Sequence, residues 1–304
     1  MYRILFLAFN FSIFPLLLIA QNFSIIGERI VGPHPTGYLL AIIDEQRARF
    51  EWTSEVDKTY DKVEHFNYSL EQRDGMTFLV LDGDIPEDIL LVTFVGAKPW
   101  KIGSEILILF GQIQEQKKKY LTGSYYYPSF FLGYVANPDY SGSHLLLADT
   151  YPFEGLGGTY RDASSSLSEF GRTYDVSYLN YLDSEAAWVE GASGDGIGEG
   201  FVIESRHRWK SLLIINGFIS ARNPKLYKEN GRVKKIRVEG VESGVSKVLD
   251  VIDTPHPQTV DISFLPFSED IRVTIADVYP GTKYEDTAIH FCITYDYTIV
   301  PLFP

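Results

Sequence analysis

A glycine-dense stretch in the second half of the chain decides the fold. Residues 187–200 read Ala-Trp-Val-Glu-Gly-Ala-Ser-Gly-Asp-Gly-Ile-Gly-Glu-Gly. Repeated glycine indicates backbone angles that other residues avoid, or a close approach of another group to the backbone. The stretch lacks the Gly-Lys-Ser/Thr ending of a phosphate-binding loop. Two interpretations are open: a connection between two strands of a β-sandwich, and a polar, Trp-lined loop that meets a ligand.

Strand patterns surround this stretch. Residues 211–218 form an apolar run that ends at an Asn-Gly turn signal, and residues 233–240 alternate apolar and charged side chains. Further strands are predicted over 248–252, 259–264, 271–278 and 288–297, at spacings typical of a sandwich. The only cysteine, Cys292, lies in the last of these runs, so we expect a small buried hydrophobe. A lone cysteine also excludes an internal disulfide.

The first half of the chain shows strand patterns without helical periodicity. Strands are predicted over 38–44, 47–53, 77–81, 89–95, 105–110 and 130–135. A segment rich in Pro and Gly follows at 149–158, and we place a domain boundary there. The sequence therefore predicts a smaller all-β domain of unknown type over 21–155 and a second β domain over 156–304.

The net charge of the chain and its N-terminal sequence indicate which binding partners and which cellular location to expect. A formal net charge of -13 disfavours nucleic acids and anionic membrane surfaces, and is compatible with neutral ligands, including sugars. Residues 1–20 combine a positive start with an apolar run that ends at Ala20, which predicts a secretory signal peptide. An uncleaved anchor is the alternative, but the run is shorter than a bilayer span. We expect an exported protein (periplasm, cell surface or secreted) whose mature chain has no transmembrane segment.

Five pieces of the second half occur in an order that resembles a known family. They are residues 187–191 (Ala-Trp-Val-Glu-Gly), 194–199 (Gly-Asp-Gly-Ile-Gly-Glu), 214–218 (Ile-Ile-Asn-Gly-Phe), 227–234 (Tyr-Lys-Glu-Asn-Gly-Arg-Val-Lys) and 278–287 (Val-Tyr-Pro-Gly-Thr-Lys-Tyr-Glu-Asp-Thr). Together they resemble the glycan-binding domain first recognised at the N-terminus of secreted streptococcal NAD glycohydrolase, where it serves in translocation. The resemblance covers roughly residues 158–298.

The resemblance implies a galactose-binding-like, discoidin-type jelly roll. The predicted fold class is therefore all-β: a C-terminal galactose-binding-like β-sandwich preceded by a smaller all-β domain. No part of the sequence resembles the NADase catalytic domain, so no enzyme activity is implied. The resemblance also implies a possible structural calcium, for which Asp183 and Glu185 are the candidates, with an acidic solvated turn as the alternative. No other cofactor is predicted.

Sugar recognition needs an aromatic face for the C–H groups of a pyranose and polar side chains for its hydroxyls. Two loops at one end of a jelly roll could supply both. The predicted ligand-binding residues are Trp188, Glu190, Asp195 and Glu199 from the first loop, and Tyr227, Asn230 and Arg232 from the second. Three structural alternatives stay open: Trp188 as a core residue, Glu190 with Arg232 as a buried ion pair, and Asn230 as a turn residue.

Three functions are compared. The first is an exported, non-catalytic glycan-binding protein. The second is a hydrolase with its catalytic residues in the first domain and the jelly roll as an accessory module, although no His-Glu-x-x-His or Gly-x-Ser-x-Gly motif occurs. The third is a protein-interaction module in which the jelly roll packs on the first domain and binds no sugar. The sequence favours the first and leaves the glycan and the oligomeric state open.

Overall fold

The structure is a computed structural model. It describes residues 29–31, 37–42, 47–53, 62–82, 105–113, 129–135, 144–148, 159–180, 186–204, 209–266, 269–295 and 299–301. The predicted signal peptide, the predicted boundary segment, the predicted strand at 89–95 and the calcium candidates Asp183 and Glu185 lie outside the described residues.

Eight strands of the first half form a closed antiparallel ring. They are β1 (Arg29–Val31), β2 (Gly37–Ile42), β3 (Arg47–Thr53), β4 (Lys62–Arg73), β5 (Met76–Leu81), β6 (Glu105–Ile113), β7 (Ser129–Val135) and β8 (His144–Ala148). Each strand pairs with the next along the chain, and β8 pairs with β1. The closure covers strand edges that would otherwise be open to other chains.

The second half forms a nine-stranded mixed sheet and a separate hairpin. The sheet contains β9 (Thr159–Arg161), β12 (Trp188–Val189), β13 (Gly200–Glu204), β14 (Ser211–Asn216), β15 (Gly231–Gly240), β16 (Ser246–Asp250), β17 (Gln258–Asp261), β18 (Ile271–Tyr279) and β19 (Thr287–Tyr295). The hairpin pairs β10 (Ser168–Glu169) with β11 (Arg172–Thr173). A 3₁₀ turn (Val176–Asn180) and a short α-helix (Leu226–Glu229) complete this part.

The mixed sheet folds over on itself into a sandwich. Its strand order is β17-β14-β19-β15-β18-β13-β9, with β12 beside β19 and β16 beside β15. The pairing of β15 with β19 is parallel and covers only two residue pairs. Inward side chains of β13, β15 and β18 therefore pack against those of β14, β17 and β19 in one core. Cys292 lies in this core, as predicted, and burial raises the pKa of its thiol to about 12.

The outer face of β14 and β19 packs on the outer face of β5 and β6. Because side chains alternate along a strand, Leu212 and Ile214 point into the sandwich while Leu213 and Ile215 point away from it. The shared cluster between the two sheets contains Met76, Phe78, Leu107, Leu109, Leu213, Ile215, Ile219, Ala221, Tyr227, Phe291, Ile293 and Tyr295. The two halves of the chain thus share an apolar core.

The last described strand returns to the first sheet. β20 (Ile299–Pro301) pairs antiparallel with residues 111–113 of β6. It lies within the segment predicted as the second domain and is nevertheless a strand of the first sheet. No helix in the part of the chain that the structure describes is long and apolar enough to cross a membrane.

Candidate functional site

The glycine loop, residues 191–199, connects the end of β12 to β13. Gly194, Gly196 and Gly198 have φ angles of 98°, 72° and 100°, which only glycine adopts without strain. The backbone N–H of Gly198 donates to the carbonyl of Ile275 on β18 at 2.9 Å. The positive φ angles and this hydrogen bond together account for the repeated glycine, because glycine allows the loop to fold back onto the sandwich.

Glu190 is the residue around which the glycine loop folds. Its side chain is fully buried, and its two oxygens accept the backbone N–H groups of Thr287 at 3.0 Å and Ala192 at 2.8 Å. A Cβ on Gly196 would lie 2.5 Å from the Glu190 carboxyl carbon. Burial raises the pKa of Glu190, although the two N–H groups act in the opposite direction. Glu190 therefore scaffolds the loop and presents no surface to a ligand.

Trp188 lies in the sandwich core. It has no exposed surface, its ring meets Phe201 edge-on at a centroid distance of 5.2 Å, and its indole N–H donates to the carbonyl of Ser165 at 3.0 Å. An aromatic platform for a sugar must be accessible, so the structure supports the core alternative for this residue. The short spacing between Trp188 and the glycine loop in the sequence does not bring the ring to the surface.

Two acids of the glycine loop remain accessible. Asp195 is exposed, and Glu199 is half-buried. The hydroxyls of Ser164 and Ser165 both donate to Oε2 of Glu199 at 2.5 Å, and they lower the pKa of this carboxyl. Asp195 accepts the backbone N–H of Ile197 at 3.3 Å. Both side chains offer carboxyl oxygens as hydrogen-bond acceptors, and Asp195 is the more exposed of the two.

The second candidate segment, residues 227–232, forms a partly buried network around Asp253, an acid that no sequence motif singles out. Arg232 donates through Nε and Nη2 to the two oxygens of Asp253 at 2.9 and 3.2 Å. The Tyr227 hydroxyl donates to the same carboxylate at 2.9 Å, and the Lys228 ammonium at 3.2 Å. The alternative of a buried ion pair between Glu190 and Arg232 therefore does not hold, because the carboxylate partner of Arg232 is Asp253.

This network also sets the charge states of its members. Burial would raise the pKa of Asp253, but hydrogen bonds from Arg232 and Tyr227 outweigh burial and hold the pKa below its ordinary value. Burial, followed by the Asp253 charge, raises the pKa of Tyr227. Asp253 is 21 residues from Arg232 and belongs to no recognisable motif, so no signal in the sequence pairs them.

Asn230 closes the short helix. Its side-chain amide donates to the carbonyl of Leu226 at 2.9 Å, and its side chain is buried. Tyr227 packs in the core shared with the first sheet, and Gly75 in the turn between β4 and β5 has its Cβ position 3.8 Å from Cε of Lys228. The second segment therefore joins the sandwich to the closed ring.

Both segments meet at the start of β19, so they lie at one end of the sandwich. Thr287 donates its N–H to Glu190 and its hydroxyl to the Asp195 carbonyl at 2.8 Å. The N–H of Gly231 donates to the Asp286 carbonyl at 2.9 Å. A Cβ on Gly231 would lie 2.5 Å from the Thr287 hydroxyl oxygen, which shows how closely the segments approach. Hydrogen bonds of Asp286 and Thr287 thus connect the two segments at this end of the sandwich.

The 281–286 loop, between β18 and β19, adds accessible side chains to the same end. Tyr284 is 38% exposed, and the ammonium of Lys283 lies 4.6 Å from the centre of its ring. The backbone N–H of Tyr284 donates to the Glu229 carbonyl at 2.9 Å and fixes the loop. Thr282, Lys283 and Glu285 are exposed around this ring. Residues 278–287 carry part of the family resemblance, but no local sequence pattern singles out Tyr284.

The described residues contain no group of three or more His, Cys, Asp or Glu that could hold a metal ion. The calcium prediction concerned Asp183 and Glu185, which lie outside the described residues, and it stays a prediction.

Comparison with known proteins supports the sequence resemblance. The family model of the NAD glycohydrolase translocation F5/8 type C domain matches residues 152–294. Among solved structures, the chain is similar to the family 32 CBM from C. perfringens NanJ in complex with galactose, with 15% sequence identity and a TM-score of 0.33, over 48% of this chain and 96% of that chain. No curated protein matches the chain. Residues 152–294 therefore match the domain family that the sequence resemblance indicated, the NAD glycohydrolase translocation F5/8 type C domain.

Proposed function

We propose that the protein is an exported, non-catalytic carbohydrate-binding protein whose sandwich meets a glycan with the loops at one end. The observation that carries the proposal is the convergence of the glycine loop, residues 227–232 and the 281–286 loop at Asp286 and Thr287. This convergence places accessible acids, an ammonium group and an aromatic ring at one end of a rigid sandwich. Loops on a rigid scaffold are a common location for binding sites.

Accessible residues rather than buried ones are the proposed ligand contacts. The Tyr284 ring offers an apolar face for pyranose C–H groups, and the carboxylate of Asp195 accepts hydrogen bonds from sugar hydroxyls. Lys283 beside the ring supplies donors for hydroxyl oxygens. Glu199 keeps one carboxylate oxygen that does not bind the two serines. Each group matches one chemical need of sugar recognition.

The buried members of the predicted site have a supporting role in this proposal. Glu190 and Arg232 hold the loops through the hydrogen bonds described above, and Trp188 fills the core beneath them. A binding site needs such support, because side chains and loops that are mobile before binding lose conformational entropy on binding, and this loss lowers the affinity. The proposal therefore keeps Asp195 and Glu199 as ligand contacts and adds Lys283 and Tyr284. The predicted residues that it no longer assigns to ligand contact are Trp188, Glu190, Tyr227, Asn230 and Arg232.

Export is part of the proposal and is supported by the signal-like residues 1–20 and by the translocation context in the name of the matching family. The interaction-module alternative has one observation in its favour, since the sandwich does pack on the first sheet. That packing uses the outer face of β14 and β19. Asp195 and Tyr284 stay exposed beside it.

A glycan array with the purified protein tests the proposal. We expect binding to at least one neutral glycan, and a loss of about tenfold in affinity for Asp195→Ala and for Tyr284→Ala, which corresponds to about 1.4 kcal/mol for each. Asp250→Ala is the matched control, because this acid is also exposed and lies on β16. Binding to no glycan would refute the proposal, and turnover of a sugar substrate would support the hydrolase alternative.

A further inference from the structure

The hairpin of β10 and β11 carries an unusual residue at its tip. Phe170 is fully exposed, with a relative accessibility of 101%, and its φ angle is 49°. Gly171 follows with a φ angle of 79°. Two consecutive positive φ angles are those of a type I′ turn, which favours Asn-Gly, Asp-Gly or Gly-Gly. A bulky side chain at such an angle is an outlier.

The first sheet shows the ordinary solution to the same turn. Asp74 and Gly75, between β4 and β5, have φ angles of 51° and 86°. Asp-Gly is a preferred pair for this geometry. The chain thus places a favourable residue at one tight turn and an unfavourable, apolar one at the other.

Folding does not account for Phe170. Its side chain is fully exposed, and a Cβ on Gly171 would meet nothing within 4 Å. Within the described residues, β10 and β11 pair only with each other. Local backbone strain that no packing contact offsets often marks a functional site.

The hairpin emerges beside the glycine loop. Leu167, just before β10, donates its N–H to the carbonyl of Val189, and Tyr174, just after β11, donates to the carbonyl of Leu167. The hydroxyl of Ser165 accepts the N–H of Gly191, the first residue of the glycine loop, at 3.0 Å. The base of the hairpin therefore lies beside the start of the glycine loop, the loop that carries Asp195.

Polar groups beneath the tip are held in place. The guanidinium of Arg172 lies 4.9 Å from the ring centre of Tyr174 and 5.6 Å from that of Tyr178. The hydroxyls of Ser168 and Thr173 form a cross-strand hydrogen bond of 2.8 Å. A hairpin that carries an exposed apolar ring, a positioned guanidinium and hydroxyls matches a pyranose, which presents a C–H face and a rim of hydroxyls.

Charge argues against a bilayer as the occupant. Glu169 precedes the tip and is exposed, and the chain carries a net charge of -13. Stable attachment to a membrane surface relies on a larger apolar face or on basic residues near anionic lipid. A single aromatic ring in an acidic protein fits neither condition.

We propose that Phe170 is an aromatic stacking platform for a pyranose unit of the glycan bound at this end of the sandwich. The inference rests on the proposed function and adds a contact outside the three converging loops. It also assigns a role to a residue that the hairpin geometry disfavours.

Variants of Phe170 test this inference on a glycan identified with the array. Phe170→Ala should weaken binding about tenfold, whereas Phe170→Trp should stay within about threefold of the unchanged protein. Phe170→Asn is the sharpest variant, because it suits the turn: it should raise the melting temperature and still weaken binding about tenfold. Val245→Ala is the control, since Val245 is also an exposed apolar residue, at 40%.

The outcomes separate this inference from the proposed function. If the unchanged protein binds no glycan, the proposed function and the inference both fail. If it binds and Phe170→Ala and Phe170→Asn bind equally well, only the inference fails. Sedimentation with phosphatidylcholine vesicles that is lost in Phe170→Ala would overturn the inference in favour of a bilayer.

Discussion

Replacing Glu190 by alanine tests whether the glycine loop is built around this carboxylate. The Thr287 N–H is buried and would lose its acceptor, at a cost of about 1–3 kcal/mol. The Ala192 N–H is partly exposed, so water can replace its acceptor and the further cost is about 1 kcal/mol. We therefore expect the free energy of unfolding to fall by about 2–4 kcal/mol.

Urea unfolding followed by circular dichroism measures this loss, and the midpoint should fall with an unchanged slope. Glu190→Gln keeps the volume and one acceptor oxygen, so its loss should be about half as large. Glu285→Ala, an exposed acid of the same end, should stay within about 0.5 kcal/mol of the unchanged protein. A loss below 0.5 kcal/mol for Glu190→Ala, roughly the level of a neutral surface change, would refute the scaffold role.

The pH dependence gives a second readout of the same residue. Because burial raises the folded-state pKa of Glu190, its ionisation favours unfolding. The stability it contributes is fully present below the ordinary glutamate pKa and is lost as the pH rises through the raised folded-state pKa. Glu190→Gln should remove this loss, and identical pH profiles for the two proteins would contradict the burial argument.

Four further predictions concern the structure around the site and the core shared by the two sheets. Arg232→Met removes the guanidinium from Asp253, and we expect a loss of about 2–4 kcal/mol in urea, below the usual 3–5 kcal/mol because Asp253 is 28% exposed; a loss under about 1 kcal/mol would contradict the network. Because the folded-state pKa of Asp253 is lowered, its ionisation contributes to the free energy of unfolding above the ordinary aspartate pKa, and this contribution is lost as the pH falls through the folded-state pKa. Asp253→Asn should therefore reduce the loss of stability at acid pH. Gly196→Ala should lower the melting temperature more than Gly194→Ala, because both have positive φ but only Gly196 lies against Glu190; equal shifts would speak against the close approach. Leu213→Asp should expose the core shared by the two sheets and increase binding of a hydrophobic dye, whereas Leu70→Asp, at a site already 48% exposed, should not; equal dye binding by the two variants would argue against the shared core.

Strand positions in the second half were largely predictable from the sequence, whereas β4 and β8 of the first half had no predicted counterpart. The predicted strands at 211–218, 233–240 and 271–278 correspond to β14, β15 and β18, because alternation and turn signals are local properties of the chain. The closure of the first sheet was not predicted. The pairing of β8 with β1 joins residues more than 100 positions apart, and periodicity carries no information on such pairings.

The meeting of the two loops was predictable, whereas their role in ligand binding stays a prediction. The two loops do meet at one end of the sandwich, as the resemblance implied. Accessibility could not be predicted for Trp188, since tryptophan occurs both in cores and at surfaces. Tyr284 and Phe170 were missed because their exposure depends on turns whose geometry appears only in three dimensions.

The shared core makes the two halves one structural unit. Leu213 and Phe291 of the sandwich are covered by Phe78 and Leu107 of the closed ring, and β20 ties the C-terminal end back to β6. The shared apolar cluster makes it unfavourable for the ring and the sandwich to separate.

Backbone chemical-shift mapping with a glycan identified on the array tests whether this end of the sandwich binds the ligand. We expect the amide signals of residues 193–199 and 282–286 to shift on titration, and those of residues 62–82 in the first sheet to stay unchanged. Shifts confined to the first sheet, or no shifts at saturating glycan, would contradict the assignment of ligand binding to this end of the sandwich.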